Sequence, residues 1–203
     1  MRKHSALLGL TLAIAVTTTM PRAWAADPSS FEVMGLRLGM SASEAEAAGE
    51  ENGFDIVRRD PAPSFKQAVA QRRGQRINGN TYTGVNKIRL VRGDARVEAF
   101  FTPTPDGPRL YQVAANVFET DNDVDLGKEI IARYGEPDER GQREWLWGDT
   151  GVFYARAEPY LEFQPTPVSA TRPHPVGRLI LADPALQKRS QEAIADEAIQ
   201  GSK

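Results

Sequence analysis

Residues 85–118, VNKIRLVRGDARVEAFFTPTPDGPRLYQVAANVF, decide the fold that the sequence predicts. Apolar and polar residues alternate over three windows of this stretch, 85–92, 95–102 and 109–118. A period of two is typical of β-strands that bury one face and expose the other. The predicted apolar positions are Ile88, Leu90, Val97, Ala99, Phe101, Tyr111, Val113, Ala115 and Val117.

Short connections join these three strands, so we expect them to be antiparallel neighbours. Gly93-Asp94 is typical of a tight hairpin turn between the first two. Residues 104–108, TPDGP, indicate a longer loop between the second and the third, because Pro, Asp and Gly favour turns. Three consecutive strands connected in this way form an antiparallel β-meander.

Upstream of the meander, residues 41–44 (SASE) predict the start of a helix. In this capping box the Ser41 hydroxyl accepts a hydrogen bond from the Glu44 amide, and the Glu44 carboxylate accepts one from the Ser41 amide. The helix should cover about 42–51 and end at Gly53, which can adopt the left-handed conformation. Its apolar stripe is thin, so we expect close packing on a flat surface. The stripe consists of Ala45, Ala48 and Phe54.

Downstream, the same order of elements begins again. Asp121 or Asn122 can cap a helix over about 123–134, which should end at Gly135 with Pro137 just beyond it. Short strands are then predicted at 143–147, 151–156, 160–164 and 176–182, with a hairpin turn at 148–151.

Two other segments give weaker helix signals. Residues 64–76 follow the breaker Pro61-Ala62-Pro63 and are compatible with a helix that Gly74 weakens. Residues 184–200 favour a helix of modest amphipathicity, either docked on the rest of the protein or frayed.

These elements predict an α+β protein in which helices pack on antiparallel β-meanders. We interpret the order as a helix-then-sheet unit that occurs twice, although residue identity between the halves is slight. The sequence leaves open whether both halves share one sheet. The predicted segments are a signal peptide (1–25), a first unit (26–118), a second unit (119–183) and a C-terminal helix or tail (184–203).

The first 25 residues have the pattern of a secretory signal peptide. A basic start (residues 1–4) precedes an uncharged run at 6–20, and Ala23-Trp24-Ala25 supplies the small residues that a signal peptidase requires. The apolar run is too short to cross a bilayer comfortably. We therefore expect cleavage after Ala25, a soluble periplasmic or secreted chain, and a formal net charge that changes from −2 to −5 because only basic residues are lost.

The composition leaves few catalytic side chains. The chain has no Cys and only two His, of which His174 lies between two prolines in the expected mature protein. A single imidazole cannot form a closed zinc site, and the sequence contains no serine-nucleophile or phosphate-loop motif. We therefore expect no cofactor, no metal and no histidine-dependent catalysis.

Carboxylates are the remaining candidates for chemistry. Glu46 and Glu50 lie four residues apart on the first predicted helix and should share a face. A glycosidase-like pair would have to flank a cleft, with the pKa of one carboxyl group raised. We interpret this pair as the solvated side of the helix, and the acidic residues at 121–125 as helix-capping residues.

Basic side chains concentrate in residues 58–96, whereas the rest of the expected mature chain is acidic. Such asymmetry creates a local positive field that attracts anionic partners. An acidic protein or an anionic envelope component fits this field, and nucleic acid does not fit an exported protein. Our candidate partner-binding residues here are Arg72, Arg73, Arg76, Lys87 and Arg89.

Aromatic residues cluster at 145–163 and include Trp145 and Trp147, which should project from the same strand face. Such residues usually belong to the core. If that face is uncovered, they would instead anchor an interface, and we therefore include both as candidate partner-binding residues.

The stretch 35–44, GLRLGMSASE, resembles the G-x-x-x-G-M-S/T-x-x-E segment of exported bacterial proteins with a small helix-plus-sheet unit. These include the small lipoprotein of the outer-membrane β-barrel assembly machine and the tandem-repeat β-lactamase inhibitor protein. Uncharacterised exported proteobacterial proteins are more similar still, because they combine this segment with a K/R-Y-G-x-P helix end, here residues 133–137, and a Trp-containing strand. The chain lacks the Cys on which the lipoprotein's lipidation and the inhibitor's disulfides depend.

The leading functional hypothesis is a non-catalytic protein of the cell envelope that binds another macromolecule through a sheet face or edge. One alternative is a periplasmic inhibitor or immunity protein directed against a hydrolase. The other is a carboxylate-dependent hydrolase of an envelope polymer.

Overall fold

The computed structural model describes residues 27–118, 125–152, 156–166 and 176–200. The predicted signal peptide, the predicted caps Asp121 and Asn122, and His174 lie outside these ranges. The described helices are α1 (Ala42–Glu51), α2 (Phe65–Arg72), α3 (Leu126–Tyr134) and α4 (Pro184–Gln200). The strands are β1 (Glu32–Val33), β2 (Leu36–Arg37), β3 (Asp55–Ala62), β4 (Gly84–Arg92), β5 (Ala95–Thr104), β6 (Gly107–Phe118), β7 (Glu139–Arg140), β8 (Trp145–Gly148), β9 (Tyr160–Thr166) and β10 (Val176–Ala182).

One antiparallel sheet of eight strands organises the molecule, in the order β3-β4-β5-β6-β10-β9-β8-β7. Strands β3 to β6 form one meander and β7 to β10 form a second, and the two meanders join where β6 pairs with β10. Strands β1 and β2 make a separate two-stranded hairpin. The predicted α+β class is confirmed, and both halves share a single sheet.

The sheet buries one face, here called the core face, under α1, α3 and the β1–β2 hairpin. Its fully buried side chains alternate along the strands, as the period of two predicts. Helix α1 lies close to the sheet because Gly49 has no side chain, and a Cβ there would overlap the Leu90 side chain. The buried strand residues of this face include Ile88, Leu90, Val97, Ala99, Phe101, Leu110, Val113, Ala115, Leu161, Phe163, Leu179 and Leu181.

The opposite face, here called the second face, is partly covered by α4. Thr102 alternates with Val97, Ala99 and Phe101, so it belongs to this face, and its hydroxyl donates to the Ser190 hydroxyl of α4 at 2.8 Å. Helix α4 therefore docks over β5 and packs along α2. The sequence left open a docked or a frayed segment, and the structure shows the docked helix. No helix in the described ranges is long and apolar enough to cross a membrane.

Both predicted ends of α1 and the predicted C-terminal end of α3 agree with the structure, whereas α2 ends at Arg72, before the predicted end at residue 76. Helix α1 has the Ser41–Glu44 capping box and is followed by Gly53 at φ 75°. Helix α3 ends at Gly135 with φ 81°. Its cap is Asp125, whose carboxylate accepts from the Gly127 amide at 3.0 Å, so the expectation of a cap at Asp121 or Asn122 was wrong. Asp and Asn are both favoured as helix caps, and several of them lie within a few residues of each other here, so the sequence alone does not identify which one caps the helix.

Three strand predictions need correction. The predicted longer loop at 104–108 is a tight turn, because β5 extends to Thr104 and β6 begins at Gly107. The edge strand β3 was missed because Pro61 looks like a breaker, although an edge strand tolerates Pro at an irregularity such as the one between Asp60 and Pro61.

The third correction concerns the predicted strand at 151–156. Its described residues, 151–152 and 156, are not in a strand, and β8 pairs with β9 instead. The Asp149 carboxylate accepts backbone hydrogen bonds from Gly151, Ala157 and Glu158 and thereby organises a loop in place of the expected hairpin.

Candidate functional site: an arginine groove on the second face

The uncovered part of the second face contains a groove of about 580 Å³. Its side chains come from positions that alternate with the buried core residues of β4, β5, β6 and β10, so the same period that builds the core also presents them outward. We call this feature the arginine groove and define it by Arg89, Arg96, Glu98, Ala114, Asn116 and Arg178.

Glu98 is the anionic centre of the groove and is held by two cations of β4. Arg89 Nη2 lies 3.1 Å and Lys87 Nζ lies 3.2 Å from its Oε1 atom. Desolvation by burial raises the pKa of Glu98, but the hydrogen bonds from Arg89 and Lys87 outweigh it and hold that pKa below its ordinary value. Glu98 is therefore ionised at neutral pH and neutralises part of the positive charge on β4.

A neighbouring carboxylate extends this network towards the edge of the sheet. Asp60 on β3 accepts from Arg58 Nε at 2.5 Å and lies 3.7 Å from Lys87 Nζ. The hydrogen bond from Arg58 is the main reason that the pKa of Asp60 is lowered. Lys87 thus lies between two carboxylates, and little of its charge remains for a partner.

Two arginines of the groove behave differently. Arg96 on β5 and Arg178 on β10 are exposed, and within the described residues neither forms an ion pair. Arg178 pairs with Asn116 across β10 and β6, and Arg96 directly precedes Val97, the partner of Ala115. The two guanidinium side chains therefore flank the exposed Asn116 amide. This arrangement can bind anions without first breaking an internal ion pair.

The candidates on and after α2 lie apart from the groove. Arg73 donates to the backbone carbonyl oxygens of Ala198 at 3.2 Å and Glu197 at 2.5 Å, so it holds the C-terminal end of α4. Arg72 and Arg76 are exposed and do not line the groove. Of the five basic candidates, the structure brings only Lys87 and Arg89 together, around Glu98.

Trp145 and Trp147 are core residues, which corrects their candidacy as partner-binding residues. Their exposed fractions are 8% and 1%. The Trp147 indole donates to the Gly135 carbonyl oxygen at 3.0 Å, and Trp145 meets the Phe163 ring edge-on at 5.2 Å. Both indoles lie on the face that α3 covers, so they stabilise the packing of that helix and cannot anchor a partner from there.

Another ion pair on the second face is buried. Arg156 Nη1 donates to Glu162 Oε2 at 2.6 Å, and each side chain is only 3% exposed. The Arg156 guanidinium also lies over the Tyr160 ring, 4.4 Å from its centroid. Burial raises the pKa of the Tyr160 hydroxyl. These groups attach Gly151 and Arg156 to the sheet and are inaccessible to a macromolecule.

The carboxylates of α1 do not form a shared site. Glu46 is mostly buried and bound by Arg59 of β3, whereas Glu50 is exposed. One oxygen of Glu46, Oε1, is buried and has no hydrogen-bond partner among the residues that the structure describes. Among the residues that the structure describes, no cluster of three or more His, Cys, Asp or Glu side chains is arranged to hold a metal ion.

Sequence reasoning missed most of the groove. Arg96 was visible as part of the basic stretch, but its position beside Arg178 depends on the pairing of β6 with β10. The only local signal for Arg178 is its place between Gly177 and Leu179 in a predicted strand, which makes it an outward residue. Comparison of the chain with protein-family models, curated proteins and solved structures gives no match.

Proposed function

We propose that the chain is an exported, non-catalytic protein of the cell envelope that binds an anionic macromolecule through the arginine groove. The observation that carries this proposal is the pair Arg96 and Arg178, both exposed and without an ion pair within the described residues. Guanidinium groups are suited to carboxylate and phosphate ligands because their donors are arranged in a rigid fork.

The electrostatic balance of the groove supports the same proposal. Among the residues that define the groove, Arg89, Arg96 and Arg178 provide three positive charges, whereas Glu98 provides one negative charge. The whole chain has a formal net charge of −2. A local positive field on a chain of opposite net charge favours a particular docking orientation for an anionic partner.

A periplasmic inhibitor remains the second candidate, because both meanders contribute to one surface: Arg89 and Arg96 come from the first and Arg178 from the second. It differs from the first candidate in requiring one tight, stoichiometric partner.

The hydrolase alternative has less support. A general acid needs a raised pKa, whereas every described carboxyl group whose pKa departs from its ordinary value has it lowered.

A site-specific cross-linking experiment tests the proposal. A photo-reactive amino acid at Asn116, between the two arginines, should give an adduct of defined mass in intact cells. Reversal of both charges in R96E/R178E should abolish the adduct. The control R72E/R76E changes the net charge by the same amount at two exposed arginines outside the groove, and it should leave the adduct intact.

Two results would contradict the proposal. One is the absence of any reproducible adduct from Asn116. The other is equal loss of the adduct in both double variants, because that would indicate a response to net charge alone. Adduct formation in envelope extracts should also fall as salt is raised, since surface charges are screened over about 8 Å at physiological ionic strength.

A further inference from the structure

We propose that the arginine groove recognises an acidic peptide segment of a partner protein, with one carboxylate bound by Arg96 and a second by Arg178. This inference rests on the proposed function and names the class of its partner. Three features of the groove carry it: the separation of the two arginines, the acceptor oxygen between them and the small side chain at the floor.

The separation of the arginines suits two anionic groups. Arg96 lies on β5 and Arg178 on β10, with β6 between them. Neighbouring strands are about 4.8 Å apart, so the two backbones are roughly 10 Å apart. In a polyproline-II segment, residues i and i+3 point to the same side about 9 Å apart. Two acidic residues with this spacing can therefore each meet one guanidinium group.

Glu98 makes the groove more suitable for a peptide than for a phosphate. All of its hydrogen bonds from Lys87 and Arg89 go to Oε1. Its Oε2 atom receives no hydrogen bond from the described residues, so it offers an acceptor to a ligand. A peptide backbone brings N–H donors to such an acceptor, whereas an ionised phosphodiester group has no donor and would be repelled by the carboxylate.

The floor of the groove leaves room for a peptide backbone. Ala114, on β6 opposite Glu98, is 5% exposed and has the smallest side chain that a non-glycine residue can have. Asn116 on the same strand presents an amide with both donor and acceptor atoms between the arginines. The volume of about 580 Å³ lies within the usual range of ligand-binding clefts.

Short peptides provide the test. Ac-Glu-Ala-Ala-Glu-NH2 carries two carboxylates at the required spacing, Ac-Glu-Ala-Ala-Gln-NH2 carries one, and Ac-Gln-Ala-Ala-Gln-NH2 carries none. Binding to the purified protein is measured by NMR titration of the Asn116 side-chain amide and the Arg Nε–H signals. Inorganic phosphate and vesicles containing phosphatidylglycerol are titrated in parallel.

We expect the two-carboxylate peptide to bind more tightly than the one-carboxylate peptide, and the neutral peptide to cause no shifts. R96Q/R178Q should weaken binding about fivefold or more, since each exposed charge pair contributes modestly. R72Q/R76Q should bind like the unmodified protein. Equal thermal midpoints of both variants and the unmodified protein would show that the fold is intact.

The outcomes separate this inference from the proposed function. If phosphate or anionic vesicles bind with the same dependence on Arg96 and Arg178 while the peptides do not, the acidic-peptide inference is overturned and the anion-binding function stands. If no anionic probe responds more to R96Q/R178Q than to R72Q/R76Q, both are overturned.

Discussion

Replacement of Arg156 by Met tests the energetics of the second face most directly. Arg156 and Glu162 form the buried ion pair, with 3% of each side chain exposed. Met keeps much of the aliphatic volume of Arg but removes its charge and its donors. R156M therefore leaves the Glu162 carboxylate in a buried position without its cation, and among the described residues only the Gln164 amide still donates to it.

The expected loss of stability follows from these contacts. The variant loses the 2.6 Å bond to Glu162, the 3.0 Å bond from Arg156 Nε to the Gly151 carbonyl oxygen and the stacking on Tyr160. Removal of one partner from a buried ion pair costs about 3–5 kcal/mol, because an uncompensated charge remains. We expect the free energy of unfolding of R156M to fall by about that amount.

Urea denaturation followed by tryptophan fluorescence measures this loss, since Trp145 and Trp147 are buried reporters in the core. The double variant R156M/E162M is the matched control. On the neighbouring strands Glu162 pairs with Leu146 and Ile180, so an apolar side chain is compatible with this position. We expect the double variant to recover a substantial part of the stability that R156M loses.

Two results would refute this reasoning. A loss below about 1 kcal/mol in R156M would show that the pair behaves like an exposed one. If the double variant is no more stable than R156M, the unpaired Glu162 carboxylate is not the cause of the stability loss in R156M. The pair Lys188–Glu192, exposed on α4, serves as a reference, and K188M should change stability by at most about 0.5 kcal/mol.

Two other predictions concern the core face and the groove. G177A should destabilise the protein by about 1–3 kcal/mol, because the added Cβ would overlap the buried Phe163 ring; a thermal midpoint equal to that of the unmodified protein would contradict this packing. Glu98 should make folding acid-sensitive. Because the pKa of Glu98 in the folded protein is lower than its ordinary value of 4.5, its stabilisation is complete above that pH and is lost as the pH falls through the folded value. The difference in unfolding free energy between the unmodified protein and E98Q should therefore shrink on acidification from pH 6 to pH 3, and a constant difference would argue against the Lys87 and Arg89 contacts.

Local patterns predicted the elements whose signals lie within a few residues. The capping box at Ser41 and Glu44, the glycine stops at 53 and 135 and the alternation in β4 to β6 all depend on neighbours in the chain. Edge strand β3 lacked such a signal. Its charged residues and its proline, Pro61, are residue types that occur at sheet edges and also in loops. The loop centred on Asp149 was missed because its hydrogen bonds reach residues eight and nine positions away.

The candidate site depends on non-local pairing and was therefore only partly predictable. Lys87 and Arg89 were identified as part of the basic stretch 58–96, but Glu98, which holds them, comes from the next strand. Arg96 and Arg178 become neighbours only through β6 and β10. Trp145 and Trp147 could be either core residues or anchors of an interface, depending on whether a helix covers their strand face. No pattern within 145–147 distinguishes these two interpretations.

The seam between β6 and β10 also has a consequence for folding. Residues 112–118 of β6 pair with residues 176–182 of β10, which are synthesised much later. The eight-stranded sheet therefore cannot form until the second segment has been made. Until then the first meander ends in a long strand with an unsatisfied row of backbone donors and acceptors, and such edges recruit other chains. A chain truncated before Val176 should therefore self-associate, and a chaperone that shields this edge would raise the yield of folded protein.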